Sequence, residues 1–289
     1  MKKTTMLRKI ISEKKLLVSA GAHDALSARV IAKAGFEVVF LSGFGFEASL
    51  LGKPDVGLLS MSEVVNHARN IAMSVDIPVL ADAEAGYGGF SNIQRTVREF
   101  ERAGVAGIFI EDQAHPVMCG SLKKFKKIIP TDEMVTKLKC ALTSREDPDF
   151  MICARTDADI VSIDEQIIRC NAYAEAGADM VTALPYTIEE FQALVKGVKA
   201  PLWVYLSSEL PITPKDLEEA GVRGLVVYAT ECAFVATKAM MDLMIELRNK
   251  GTVTETMTKY QAGGFFEFFN FIGLPDTQEW EQRWLEGKV

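Results

Sequence analysis

The chain has 289 residues, 48% apolar and 25% charged, with no biased tract, so it can bury a large core without disulfides or structural metals. Thirty-two basic against thirty-nine acidic side chains give a net charge of −7, which excludes nucleic acid and acidic membranes as expected partners, since both need a basic surface. The length is near that of one (β/α)₈ barrel, about 250 residues plus trimmings.

The opening stretch MKKTTMLRKIISEKKLL is basic throughout and has no apolar run of signal-peptide length; residues 1–15 read as a helix. No window approaches the roughly 20 apolar residues that span a bilayer. The richest, GLVVYATECAFVATKAMMDLMI, is interrupted by Glu231, Lys238 and Asp242. Cys119, Cys140, Cys153, Cys170 and Cys232 are widely spaced and form no metal-finger pattern, so reduced thiols in a cytoplasmic protein are expected.

One phrase then recurs four times: AKAGFEVVFLSG (32–43), ERAGVAGIFIED (101–112), AEAGADMVTALP (174–185) and EEAGVRGLVVYA (218–229). In each, a polar helical segment ends at Ala-Gly, the glycine suits a left-handed residue after a helix, and an apolar run of strand length follows. Four more such runs, LLVSAG, IPVLADA, FMICART and PLWVYLS, bring the total to eight, with starts near 16, 37, 78, 107, 151, 179, 202 and 224. They are almost wholly apolar, as parallel strands covered on both faces should be, and amphipathic stretches lie between them. Eight such units predict a TIM barrel comprising residues 1–289 as one domain. An open doubly wound sheet is the runner-up, but LSGFGFEAS lacks the third glycine of its fingerprint.

A barrel places its active site at the C-terminal ends of its strands. There the second run ends in Ser42-Gly43-Phe44-Gly45 and the third in Asp82-Ala-Glu84. The fourth ends in Glu111-Asp112-Gln113 and the fifth in Arg155-Thr156-Asp157. Carboxylates gathered around one mouth with a single arginine are costly to desolvate unless something neutralises them. A hard divalent cation held by oxygen, much of it through water, answers that need; Mg²⁺ fits best, with Mn²⁺ as a substitute.

These residues also resemble the isocitrate lyase/phosphoenolpyruvate mutase superfamily from about Ala20 to the C-terminus. The matching pieces, in order, are GAHDALSARVIAKAGF, FLSGFG, PDVG at 54–57, DAEAGYGG at 82–89, IEDQ at 110–113, Cys119-Gly120 and ARTDA at 154–158. The resemblance implies that Asp82 is the direct Mg²⁺ ligand and that Asp55, Glu84 and Glu111 hold the metal's waters. It implies that Ser42, Gly43 and Phe44 bind a 2-oxo acid carboxylate, that Arg155 neutralises the same end, and that Cys119 protonates the carbanion left by C–C cleavage. Residues 114–131 resemble the family's gating loop, and 255–289 its C-terminal helical segment, exchanged between subunits of a homotetramer built as a dimer of dimers. Five Phe within 265–271 are too apolar for a free surface helix, in keeping with burial against another subunit. The implied activity is cleavage of a 2-hydroxy di- or tricarboxylate to a 2-oxo acid and a carboxylate.

The match is weaker around the cysteine. The lyases usually read Lys-Lys/Arg-Cys-Gly-His, whereas this chain has Val117-Met118-Cys119-Gly120-Ser121, so Cys119 should be a plainer thiol. Thr182-Ala-Leu-Pro185 and Tyr205-Leu-Ser207-Ser208-Glu209 replace polar segments that the lyases carry, which leaves the substrate's distal half unassigned. An oxaloacetate decarboxylase, a phosphonate mutase or hydrolase, and a catalytically silent carboxylate-binding barrel are the alternatives. Taken alone, Arg155 also reads as a structural partner of Asp157 or Glu111, and Lys123, Lys124, Lys126 and Lys127 as a solvated loop face.

Overall fold

The computed structural model describes residues 1–287, which form two compact units, Met1–Ala233 and a helical unit from Phe234 onward. In the first, eight parallel strands close into a barrel in chain order. They are β1 (Leu16–Ala22), β2 (Val39–Leu41), β3 (Val79–Asp82), β4 (Gly107–Glu111), β5 (Met151–Arg155), β6 (Met180–Thr182), β7 (Leu202–Leu206) and β8 (Gly224–Tyr228). β1 meets β8 with Leu16 opposite Gly224 and Ala20 opposite Tyr228, which completes the ring. Every strand starts within two residues of its sequence expectation. One boundary differs: the Ser42–Gly45 stretch is not a strand end, because β2 stops at Leu41 and Gly43 opens helix α3 (Gly43–Leu51).

Helix α1 (Lys3–Glu13) precedes β1. Around the barrel run α2 (Ala25–Lys33), α4 (Met61–Ser74), α5 (Phe90–Arg102), α6 (Thr131–Ser144), α7 (Ile163–Glu175), α8 (Ile188–Gly197) and α9 (Pro214–Glu219). The four recurring Ala-Gly phrases turn from helix to strand as their chemistry requires: Gly35, Gly104, Gly177 and Gly221 have φ of 92°, 85°, 107° and 90°. A side chain there would meet its own backbone, so glycine ends the helix at least cost.

The barrel interior is a packed core. Trp203 sits edge-on to Phe40 and Phe109, with ring centroids 4.8 and 4.4 Å away. Leu17, Leu80, Met151, Met180, Leu225 and Val227 fill the same core, and Leu7 of α1 joins it. An ion pair of 2.9 Å between Arg8 and Asp179 fastens α1 there. A second apolar layer, including Ile71, Phe100, Leu138, Tyr173 and Phe191, lies between strands and helices. Burying each such side chain is worth about 1.5–3 kcal/mol, which gives a rigid frame for the strand ends.

The second unit contains most of α10 (Glu231–Lys250), with α11 (Thr254–Lys259), α12 (Phe265–Phe271) and α13 (Leu274–Leu285). Phe265, Phe266, Trp280, Trp284 and Leu285 are each more than half exposed. The last two residues of the 255–289 segment lie outside the described residues. Among the described residues no helix is long and apolar enough to cross a membrane.

Gly224 tests the close contact between β7 and β8. It has φ of 127°, and an added Cβ would lie 2.0 Å from the Leu202 carbonyl oxygen, whereas one at Gly35 would meet nothing within 4 Å. Gly35→Ala should therefore cost only its left-handed conformation, about 1–2 kcal/mol. Gly224→Ala should cost clearly more in urea unfolding, and equal losses would contradict the backbone clash.

Candidate active site

The barrel brings its acidic strand ends to one mouth. Asp82, Glu111 and Arg155 are the last residues of β3, β4 and β5. The β4–β5 register sets Glu111 beside Arg155, and Glu111 Oε2 lies 3.0 Å from Arg155 Nη1. Two residues beyond β5, Asp157 Oδ1 accepts from Arg155 Nη2 at 2.8 Å. Both structural pairings that the sequence allowed for this arginine are therefore made. Arg155 Nε remains buried without a hydrogen-bond partner.

Asp82 is fixed by the backbone around it. Its Oδ1 accepts from Glu84 N at 2.8 Å and its Oδ2 from Gly43 N at 3.1 Å. The first amide of α3 is thus committed to Asp82. A Cβ at Gly43 would lie 2.9 Å from that same Oδ2, so the close approach needs glycine. Glu84 has φ of 50° and Tyr87 φ of 58°, left-handed conformations that cost about 1–3 kcal/mol each and cluster at functional sites. The turn is anchored where Glu111 N donates to Glu84 O at 2.9 Å.

Two loops complete the mouth. Asp55 lies in a loop held from below by Glu47, a buried acid that accepts from the amides of Val56, Leu58 and Leu59. The 114–130 connection crosses over it, and Cys119 N donates to the Asp55 carbonyl at 3.1 Å. The Cys119 thiol lies within electrostatic reach of the Asp55 carboxylate. Gln113 clamps the base of this connection, donating to Met118 O at 2.8 Å and accepting from Met118 N at 3.0 Å.

Ser42, Phe44, Asp55, Asp82, Cys119 and Arg155 line one cavity of about 180 Å³. The other expected residues stand around it. Gly43 braces Asp82, Glu111 lies buried behind Arg155, and Glu84 opens on an adjoining cavity of about 330 Å³ with Tyr87, Arg95 and His115. The far wall of the first cavity is made by Leu184, Pro185, Tyr186, Tyr205, Leu206 and Leu210.

Burial dominates the electrostatics. Desolvation pushes Asp55 up to about 6, with Glu47 adding repulsion, and Asp82 up to about 7 against the pull of Arg155. Glu84 and Glu111 are raised well above the usual carboxylate range, again by burial first and then by neighbouring acids. Burial and the Asp55 charge lift the Cys119 thiol to about 11, so it is a protonated, plain thiol at neutral pH, as the loss of flanking cations implied.

The acid set fits a divalent cation in one respect that the protein alone leaves open. Glu111 Oε1 and the Tyr87 hydroxyl are buried with no hydrogen-bond partner, and burial disfavours ionisation of all four acids. Among the described residues no three His, Cys, Asp or Glu side chains converge as direct ligands. That arrangement is compatible with one direct carboxylate and an octahedral shell otherwise filled by water and substrate.

Three features were not read from the sequence. Asp112, noted only as a strand end, is a buried hub. It accepts from Thr156 Oγ1 at 2.7 Å, Asp157 N at 2.8 Å, Arg169 Nη1 at 3.0 Å and the Tyr173 hydroxyl at 2.7 Å. Glu47 was signalled only by a lone acid inside the apolar GFGFEASLL. The lysine quartet needs correction: Lys124 and Lys127 are exposed, but Lys126 is fully buried against Asp157 and Asp159. An alternating polar loop gives no periodicity from which to tell the one buried lysine.

A family model of phosphoenolpyruvate phosphomutase matches residues 7–248. The 2,3-dimethylmalate lyase of Eubacterium barkeri is 40% identical, over 98% of this chain and 98% of its own length. A 2-methylisocitrate lyase of Aeropyrum pernix is 35% identical, over 95% of this chain and 88% of that one. The crystal structure of a 2,3-dimethylmalate lyase superposes with a TM-score of 0.90 at 28% identity, covering 98% of this chain and 95% of that one. The fold is shared across these relatives, and the chain belongs to the phosphoenolpyruvate mutase/isocitrate lyase superfamily.

The raised acids have a measurable consequence. Between the unfolded carboxylate range near 4 and the folded values of about 6 and 7 for Asp55 and Asp82, the folded state holds more protons than the unfolded one. Their contribution is therefore complete below about pH 4 and lost as pH rises through the folded values. In chelator, the melting temperature should fall from pH 5.5 to 7.5, and Asp82→Asn should flatten that slope. A slope that is absent, or untouched by the substitution, would contradict the burial.

Proposed function

We propose that this enzyme, a carbon–carbon oxo-acid lyase, cleaves a 2-hydroxy dicarboxylate with an alkyl-substituted tail, of the 2,3-dimethylmalate kind, to pyruvate or another 2-oxo acid plus a carboxylate. The observation that carries this reading is the convergence of Asp82, Arg155 and a protonated Cys119 on one cavity of about 180 Å³. Among its lining residues Arg155 is the only cation, and Leu184, Leu206 and Leu210 face the distal end. A third carboxylate would find hydroxyl groups there but no second cation, which favours a dicarboxylate over a tricarboxylate.

Mg²⁺ is the cofactor we propose, with Mn²⁺ as a substitute: Asp82 would hold it directly, and Asp55, Glu84 and Glu111 through its waters. When bound it supplies Lewis acidity toward the substrate's oxygen atoms. The chain's own residues do the rest. Ser42 and Phe44, at the start of α3, present a helix N-terminus to the substrate carboxylate, and Arg155 adds its charge at the same end. As a base at the mouth takes the proton of the 2-hydroxyl, the C2–C3 bond breaks, C2 becomes the carbonyl of the 2-oxo acid, and the bonding pair passes to the departing carboxylate as its enolate. Cys119 delivers its thiol proton to C3 and is left as a thiolate, which regains a proton before the next turnover. The connection that carries Cys119 keeps water from quenching the enolate at the wrong moment.

The exposed Phe265, Phe266, Trp280, Trp284 and Leu285 support a further part of the proposal, a homotetramer in which the C-terminal helices are exchanged between subunits. A cytoplasmic location is also part of the proposal, supported by five cysteines, none of them paired among the described residues.

Incubation with Mg²⁺ and 2,3-dimethylmalate, 2-methylisocitrate or oxaloacetate, with pyruvate as readout, tests the assignment. Pyruvate should form fastest from the dimethylmalate, and none from either 2-hydroxy acid would sink the lyase. Asp82→Ala should abolish turnover, and Cys119→Ser should lower it by about 10²-fold or more, the scale of a lost general acid. Turnover of oxaloacetate alone, indifferent to Cys119→Ser, would instead make the protein a decarboxylase.

A further inference from the structure

Lys126 lies in the middle of the 114–130 connection, yet its side chain is fully buried. Its Nζ lies 2.8 Å from Asp157 Oδ1 and 2.6 Å from Asp159 Oδ1. Asp157 Oδ1 is the same oxygen that accepts Arg155 Nη2 at 2.8 Å. One carboxylate oxygen therefore serves a cation from the overlying connection and a cation from the barrel mouth. Asp157 Oδ2 is buried with no hydrogen-bond partner, so the shared oxygen carries that acid's side-chain contacts.

The surrounding contacts point the same way. Asp159 also takes Lys123 at 3.4 Å and the Tyr186 hydroxyl at 3.2 Å, and the Lys123 ammonium stands 3.7 Å over the Tyr186 ring. Gly120 packs so near Arg155 that an added Cβ would lie 3.0 Å from Nη2. The connection thus touches the β5 end at three places, one of them the guanidinium itself.

We propose that Lys126 is a positioning residue: it latches the 114–130 connection over the cavity through Asp157 and Asp159, and by sharing Asp157 Oδ1 it sets the orientation and charge balance of Arg155. The charges show why. Asp157, Asp159 and Glu111 face Arg155, Lys126 and Lys123; without Lys126, Asp159 keeps Lys123 but Asp157 is left with Arg155 alone. A buried carboxylate stripped of one partner draws harder on the other, so Arg155 would be held by Asp157 and lose attraction for an incoming carboxylate. With Lys126 seated, Asp157 is partly satisfied from above and the guanidinium is freed toward substrate. The second half of this proposal rests on Arg155 binding the substrate carboxylate; the latch does not.

Two readouts on the full-length protein with Mg²⁺ separate these halves. The first is the rate at which iodoacetamide alkylates Cys119, followed by peptide mass spectrometry, which reports how closely the connection that carries this cysteine is held against the mouth, without any turnover. Lys126→Met should raise that rate tenfold or more, with native circular dichroism, and Asp159→Asn should raise it in the same direction. Lys126→Arg should restore most of the protection, and Lys124→Met on the exposed face should change nothing. The second readout is steady-state kinetics, in which Lys126→Met should raise KM for the 2-hydroxy acid at least tenfold while kcat falls by less. Wild-type alkylation rates in folded Lys126→Met, or in Asp159→Asn should the lysine variant fail to fold, would overturn the latch. Faster alkylation with an unchanged KM would overturn the coupling to Arg155. Failure of the wild-type protein to turn over any 2-hydroxy acid would fault the substrate assignment, and the alkylation rates would still decide the latch.

Discussion

Carboxylates resist burial, and this barrel buries four of them around one arginine. Everything at the mouth follows from that constraint. Desolvation is the largest cause that raises Asp82 to about 7, against the pull of Arg155, and it holds Glu84 and Glu111 well above the usual carboxylate range, so the ionised forms need compensation that Arg155 alone does not supply. Arg155 is already engaged by Glu111 at 3.0 Å and Asp157 at 2.8 Å. A divalent cation beside Asp82 would restore the balance and at the same time supply the positive charge that a developing oxyanion requires. The strain at Glu84 and Tyr87 and the glycine needed beside Asp82 are then costs of holding that acid cluster in place.

The frame that bears this cluster was written plainly in the sequence. Four Ala-Gly phrases located four helix-to-strand turns, because a left-handed glycine followed by an apolar run has few other readings. Eight apolar runs then placed the strand ends, and with them Asp82, Glu111 and Arg155. Local chemistry sufficed there, since each turn is settled by residues adjacent in the chain. The Ser42–Gly45 stretch was read as extended where α3 begins, because its apolar neighbours fit either a strand or a buried helix start.

What escaped the sequence was a set of positioning contacts made behind the strand ends. Asp112 lies next to Glu111 in the chain, yet it points to Arg169 and Tyr173 and leaves the mouth to its neighbour. Lys126 is one of four similar lysines, and only the position of Asp157 and Asp159 sinks it. Glu47 holds the loop of Asp55 from a helix whose apolar composition conceals the single acid. These residues position the site without touching its cavity. Their role lies in charge pairs and backbone clamps that form only in the fold, for which sequence spacing carries no signal.

The cation beside Asp82 is the central claim, and it has a direct test. A crystal grown with Mn²⁺ and oxalate, a planar mimic of the enolate, should show one anomalous scattering peak at coordination distance from the Asp82 carboxylate. Waters on that ion should reach toward Asp55, Glu84 and Glu111. A peak placed elsewhere, or none at the mouth at saturating Mn²⁺, would contradict the assignment.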